Sequence, residues 1–261
     1  MLAKYRFPIL IVAAILSVAC NLTLTRQSDA RELVVGVSDT DYTPFYFEKD
    51  GAFHGAAAEI VQHLARKLGH SLSYKRFPWK RVQFNLATGQ IDMVLVYFKT
   101  PARAKTALYV DIPHIYESSS LVVNTGSRIS YDGDINTLAD YSFGNVAGYW
   151  HGKDYSLNSG LQKLEFSTTK DLLATLVRGR IDIAVCNKPV MSAIAEEMGL
   201  SGQIRFLEPK IDYAPDYIAF SKAAPDAKAL AASFSKALKV FVKTEEYKAI
   251  LSKYRFESPS S

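Results

Sequence analysis

The sequence predicts an α/β fold of two lobes, each a mainly parallel sheet flanked by helices, joined by a two-strand hinge. Three observations carry that expectation. One segment occurs twice, strand and helix patterns alternate around each copy, and two extended stretches lead into and out of the second half.

The elements follow in chain order. Lys4 and Arg6 precede an apolar run from Phe7 to Ala19, the pattern of a secretory leader. Ser28-Asp29-Ala30 offers small residues where a leader peptidase cuts, so residues 1–30 are expected to be a signal peptide. Ser17-Val18-Ala19-Cys20 is a rival cut that would leave Cys20 as a lipidated first residue, although Ser17 stands where Leu is usual. Lys4, Arg6, Arg26 and Asp29 supply +2 of the formal charge of +5, which leaves +3 on the remainder. No block of Lys and Arg marks a phosphate-binding face, so nucleic acid is not expected as a partner. No second apolar stretch is long enough to span a membrane. Without Cys20, Cys186 is alone, which excludes an internal disulfide and a multi-cysteine zinc site. It lies in the apolar run Ile181 to Cys186 and is expected to be an inert core thiol.

Glu32 to Val37 reads as the first strand. Gly55 to Leu68 reads as an amphipathic helix with Ile60, Leu64 and Leu68 on one face and Gly69 as its stop. Leu72 to Phe77 is a strand and Trp79 to Ala87 a helix. That helix leads into Leu86-Ala87-Thr88-Gly89-Gln90-Ile91-Asp92-Met93-Val94-Leu95, which recurs as Leu176-Val177-Arg178-Gly179-Arg180-Ile181-Asp182-Ile183-Ala184-Val185. Gly89 and Gly179 suit the left-handed position after a helix end. Asp92 and Asp182 are expected to bond turn amides at the strand entrance. Thr100-Pro101 and Asn187-Lys188-Pro189 then read as helix starts in the two copies. Ser142 to Val146 is a strand and Thr169 to Val177 a helix. Ser118 to Asn124 and Asp216 to Lys222 read as the two crossings, and helices over Ala224 to Leu238 and Thr244 to Tyr254 close the chain. The division expected is lobe 1 over 31–122 plus 219–261 and lobe 2 over 123–218.

Together these residues resemble the amino-acid-type (family 3) bacterial extracellular solute-binding proteins. The resemblance rests on Leu33-Val34-Val35-Gly36-Val37, Tyr42-Thr43-Pro44-Phe45, Gly89-Gln90-Ile91-Asp92 through Thr100-Pro101-Ala102-Arg103-Ala104-Lys105, Phe143 to Gly148 and Gly179-Arg180-Ile181-Asp182, and it covers Glu32 to Phe256. It implies a periplasmic-binding-protein-like fold and a periplasmic location, with a lipid anchor at Cys20 as the alternative. It further implies a monomer that captures a small-molecule ligand between its lobes and delivers it to an ABC permease.

Arg103 is the leading ligand-binding candidate. It is expected in the first turn of a helix, beside free backbone amides, where a guanidinium fork suits a carboxylate. The resemblance gives an arginine here that role; pairing with an acid such as Asp111 is the alternative. Tyr42 and Phe45 follow the first strand, and the resemblance makes Tyr42 an aromatic platform, with Phe45 a candidate for either site or core. Trp79 reads as pocket wall or helix–sheet wedge, and Arg81 as a second anion contact or a solvated residue. Tyr149 and Trp150 replace the threonines that the family usually shows after Gly148. Asn187 stands where amino-acid binders commonly carry an aspartate for the ligand ammonium, and Phe98 where they often have a hydroxyl. The ligand's chemistry is thus open, with a polar, carboxylate-bearing, amino-acid-like molecule expected.

No cofactor or metal is expected, because His63 and His70 lack ligand spacing. Catalysis is the alternative, since some relatives of this scaffold are dehydratases. It needs a positioned acid or base, and His54, Glu117, His151 and Asp154 form no paired carboxylate or Ser-His-Asp order in the sequence. His151 is expected in a solvated loop. A free-standing sensory module is a third reading. Binding without catalysis is the expectation that the residues favour.

Overall fold

A computed structural model describes residues 31–224 and 226–256; the expected leader and Cys20 lie outside them. The first lobe begins with β1 (Glu32–Ser38), a small hairpin of β2 (Phe47–Lys49) and β3 (Ala52–His54), α1 (Ala56–Lys67), β4 (Ser71–Phe77), α2 (Trp79–Thr88), β5 (Met93–Phe98) and β6 (Ala107–Tyr109). The long strand β7 (Ile115–Asn124) leads to the second lobe. There β8 (Ser142–Val146), the single turn α3 (Lys153–Ser156), β9 (Gln162–Phe166), α4 (Thr169–Val177), β10 (Ile183–Asn187), α5 (Lys188–Glu197) and β11 (Ile204–Phe206) follow in order. The return strand β12 (Asp212–Ser221) brings the chain back, and α6 (Ala227–Phe241) and α7 (Glu245–Lys253) pack on the first lobe.

Parallel β4, β1 and β5 form one flank, and parallel β10, β8 and β9 the other. Between them β12 pairs antiparallel with β5 and with β7, and β7 pairs antiparallel with β10. The strand order β4-β1-β5-β12-β7-β10-β8-β9 is therefore one continuous ten-stranded mixed sheet, with β6 on β12 and β11 on β7. Separate sheets joined by a bare hinge were the expectation. They fuse because the crossing strands run in opposite directions and satisfy each other's backbone groups, Asp212–Asp216 against Ile115–Ser119.

Two sets of side chains bury the apolar faces. Leu33, Ile60, Leu64, Phe220, Phe234 and Phe241 interlock in the first lobe, and Phe143, Leu172, Ile183 and Met191 are fully buried in the second. All six residues of β5 are buried, as a strand covered on both faces requires. Cys186 is a buried free thiol, and its surroundings push its pKa far up.

The repeat has a shared mechanical purpose. Asp92 Oδ2 accepts the Val34 amide at 2.7 Å, and Asp182 Oδ2 accepts the Ser142 amide at 2.8 Å. In each lobe the aspartate thus ties the start of one strand to its parallel neighbour rather than to its own turn. Gly89 (φ 78°) and Gly179 (φ 66°) take the left-handed conformation just before it.

Two expectations fail locally. Thr100 begins no α-helix: only the 3₁₀ turn Arg103–Lys105 forms, because β6 starts at Ala107 and pairs with β12. Asn187, the matching position, does cap a true helix, accepting the Val190 amide at 3.1 Å. The first terminal helix begins at Ala227, since the Ala224 amide first turns back onto the Ser221 carbonyl. Among the described residues no helix is long and apolar enough to cross a membrane.

Candidate functional site

The ends of β1, β5 and β8 converge with the crossing strands β7 and β12 on one pocket that opens to solvent. Tyr42 and Tyr46 reach it from the loop after β1, Trp79 from the start of α2, Val96 and Phe98 from β5, and Arg103 from the 3₁₀ turn. Tyr149 and Trp150 reach it from the second lobe. Glu117 on β7 and Asp216 on β12 form its floor between the lobes.

Arg103 spans the cleft. Its Nη1 donates to the Phe98 carbonyl at 3.3 Å and its Nη2 to the Gly148 carbonyl of the second lobe at 3.0 Å, while the guanidinium lies 4.3 Å from the centre of the Tyr97 ring. It makes no ion pair with Asp111, which instead holds Lys239. Its anion-binding capacity comes from this fork alone, since the expected helix N-terminus does not exist. Gly148 comes close enough because it is a glycine: its φ is 79°, and a Cβ there would sit 3.0 Å from Lys80 Cγ and 3.1 Å from Gln83 Oε1. Gln83 Nε2 also donates to the Gly148 carbonyl, and Lys80 pairs with Glu165 across the cleft at 2.6 Å.

The walls are aromatic. Tyr149 inserts from the second lobe edge-on to Tyr42 and to Trp79, with ring centroids 5.8 Å from each. Phe98 and Trp150 complete the lining. Of nine residues singled out from sequence, these five and Arg103 line the pocket. The other three do not. Phe45 is fully buried in the first-lobe core against Phe256, and Arg81 is exposed and lies over Phe84. Asn187 spends its oxygen on the helix cap and its amide on the Ser118 carbonyl and the Glu117 carboxylate.

The floor is the feature that sequence reading missed. Glu117 and Asp216 are 6% and 1% exposed, and their carboxyl groups are in hydrogen-bonding contact. Glu117 also accepts the Tyr42 hydroxyl. No ion pair within 4.0 Å reaches either acid among the described residues. Burial raises the pKa of Glu117. Burial, then the charge of Glu117, drive Asp216 well above the usual carboxylate range. Two carboxylates in contact in a dry site cannot both ionise, so the pair holds a proton between them. A paired carboxylate thus exists where none was expected, built by the register of the crossing strands: Ile115 faces Asp216 and Ala214 faces Glu117.

His151 is buried, not solvated. Its Nδ1 contacts Ser119 Oγ at 2.9 Å, and burial depresses its pKa to about 3. Neither residue lines the pocket. Among the described residues no cluster of three or more His, Cys, Asp or Glu is arranged to hold a metal.

Residues 33–258 match the bacterial extracellular solute-binding proteins, family 3. The chain belongs to that family. It is 26% identical over 204 residues to the "probable amino-acid-binding protein YxeM" of Bacillus subtilis, covering 75% of each protein. A shorter match, 30% over 105 residues, reaches the "probable ABC transporter arginine-binding protein ArtJ" of Chlamydia trachomatis, covering 37% of this chain and 40% of that one. Among solved structures, a histidine kinase sensor domain with similarity to periplasmic binding proteins superposes with a TM-score of 0.76 at 23% identity, covering 88% of this chain and 99% of that one. That likeness establishes the shared fold.

Proposed function

We propose that this family member is an exported, periplasmic solute-binding protein that traps a small amino-acid-like molecule between its lobes and delivers it to an ABC permease. The observation that carries the reading is Arg103, a cation held in a pocket built by both lobes, whose fork donates hydrogen bonds to backbone carbonyls and to no carboxylate. A ligand carboxylate offers that fork two charge-assisted bonds in place of neutral ones. Tyr42, Trp79, Phe98, Tyr149 and Trp150 then enclose the rest of the ligand. Lobe closure over it turns on β7 and β12, the two strands that cross between lobes.

A thermal-shift screen tests this with amino acids, dicarboxylates, polyamines, sugars and aromatic acids, since a ligand selective for the folded state raises the melting temperature. Amino acids raising Tm in the wild type but not in Arg103→Ala is the expected outcome. Shifts confined to uncharged sugars would sink the reading. One observation favours catalysis as a second reading: a buried acid that keeps its proton is what a general acid requires. Incubating each binding compound with the protein and following it by NMR separates the two, because a binder returns it unchanged.

A further inference from the structure

We propose that the Glu117–Asp216 pair is the subsite for the ligand's ammonium group, and that the ligand enters by displacing the proton the pair holds. The inference rests on the reading of this pocket as the amino-acid site, and it answers a question the sequence raises. Asn187 carries no charge and both ends of its amide are already bonded, so it offers an ammonium nothing. The negative charge available to the pocket lies elsewhere, in the floor between the crossing strands.

Two independent features point to a ligand. The first is the pairing of two buried acids that no cation contacts as an ion pair, on the wall of a pocket whose other charged lining residue, Arg103, offsets their repulsion only through space. The second is Asp216 Oδ2, a fully buried oxygen without a hydrogen-bond partner, on a side chain that lines the pocket. An unpartnered acceptor of this kind is costly unless a donor arrives. A primary ammonium brings three donors and one positive charge. With Arg103 on the carboxylate, an α-amino acid meets both of its charges in one pocket.

The step balances. The free pair holds one proton and a net charge near −1; the ammonium enters with its own three protons, and the pair's proton leaves to solvent. The surrounding groups do not titrate in competition. Burial raises the tyrosines that face the pair: Tyr42, Tyr46 and Tyr149, with Tyr109 on β6. Cys186 on β10 is likewise raised. His114, whose backbone amide donates to the Asp216 carbonyl, is depressed to about 4 by burial, and His151 to about 3. Among these groups the pair is the one left to respond.

Titration calorimetry with each of the twenty amino acids and its deaminated counterpart, at pH 7 in phosphate and in Tris, tests the proposal. The difference between buffers gives the protons released. About one proton per amino acid bound and none per deaminated acid is expected, with Glu117→Gln and Asp216→Asn each weakening amino acids at least thirty-fold, roughly, while sparing the deaminated acids. Retained binding of the deaminated acids also shows that the variants fold, and the wild-type proton count needs no variant. Amino-acid binding with no proton released and equal affinity in both variants would overturn the subsite and leave the proposed function standing. Binding of none of the twenty would overturn both.

Discussion

Arg103 and Asp92 show how differently two charged residues can be employed in one lobe. Asp92 is structural: it accepts the Val34 amide and pairs with Arg31 at 2.9 Å. Asp92→Ala strands that amide and is expected to cost about 1–3 kcal/mol in a denaturant titration, with ligand affinity unchanged. Arg103→Ala should do the reverse, weakening a carboxylate ligand by about 2–5 kcal/mol in calorimetry with stability little changed. Equal affinity in the variant would move the ligand elsewhere. Both residues stood out in the sequence because each sits in a short pattern, the Gly-x-Ile-Asp repeat and the Thr-Pro-Ala-Arg run. Glu117 and Asp216 did not. They lie 99 positions apart in two polar-flanked strands, and only the register of β7 on β12 puts them on one face. Phe45, a candidate for either site or core, takes the second place: its neighbour Tyr42 lines the pocket, while Phe45 is buried in the core.

At the scale of elements, sequence periodicity located helices and strands well wherever an apolar stripe met a clear end signal. Gly69, Gly89 and Gly179 each take positive φ, as a left-handed stop requires. The failure after Thr100 is instructive, because Thr-Pro promises a helix that tertiary pairing forbids when β6 claims the chain at Ala107. Pairing between distant strands is also what fused the two expected sheets into one. Where capping is real it should be measurable. Thr168 Oγ accepts the Asp171 amide at 3.1 Å and Thr244 Oγ the Tyr247 amide at 3.3 Å. Replacing either by Ala is expected to cost about 1 kcal/mol by chemical denaturation. The loop after β8 has a different function. Gly148→Ala strains a left-handed residue and presses a Cβ towards Lys80 and Gln83, so small-angle scattering should show a larger radius of gyration than the wild type. An unchanged profile would show that the contact does not hold the lobes together.

For the whole molecule, buried titratable groups give stability a shape in pH. His114 and His151 are held neutral, at about 4 and about 3, against about 6.5 in the unfolded chain. Below pH 6.5 the unfolded chain therefore binds more protons, and stability falls with acid by up to about 1.4 kcal/mol per pH unit for each histidine. The carboxyl pair works with the opposite sign. Its folded pKa is raised, so its contribution is complete below the unfolded carboxylate range and is lost as pH rises through the folded value. Denaturant midpoints should accordingly peak near pH 6.5, and Asp216→Asn should flatten the alkaline limb while leaving the acid limb in place. A wild-type profile that keeps rising to pH 8 would contradict the shared proton.

The same two strands that carry this pair also join the lobes, so the proposed subsite sits on the proposed hinge. A crystal structure of the protein with the amino acid that binds it most tightly tests that account most directly. The ligand carboxylate is expected about 2.7–3.0 Å from the Arg103 guanidinium and its ammonium within about 3 Å of Glu117 or Asp216, under the rings of Tyr42, Trp79 and Tyr149. A ligand seated outside this pocket, or one whose ammonium turns away from the β7–β12 floor, would contradict it.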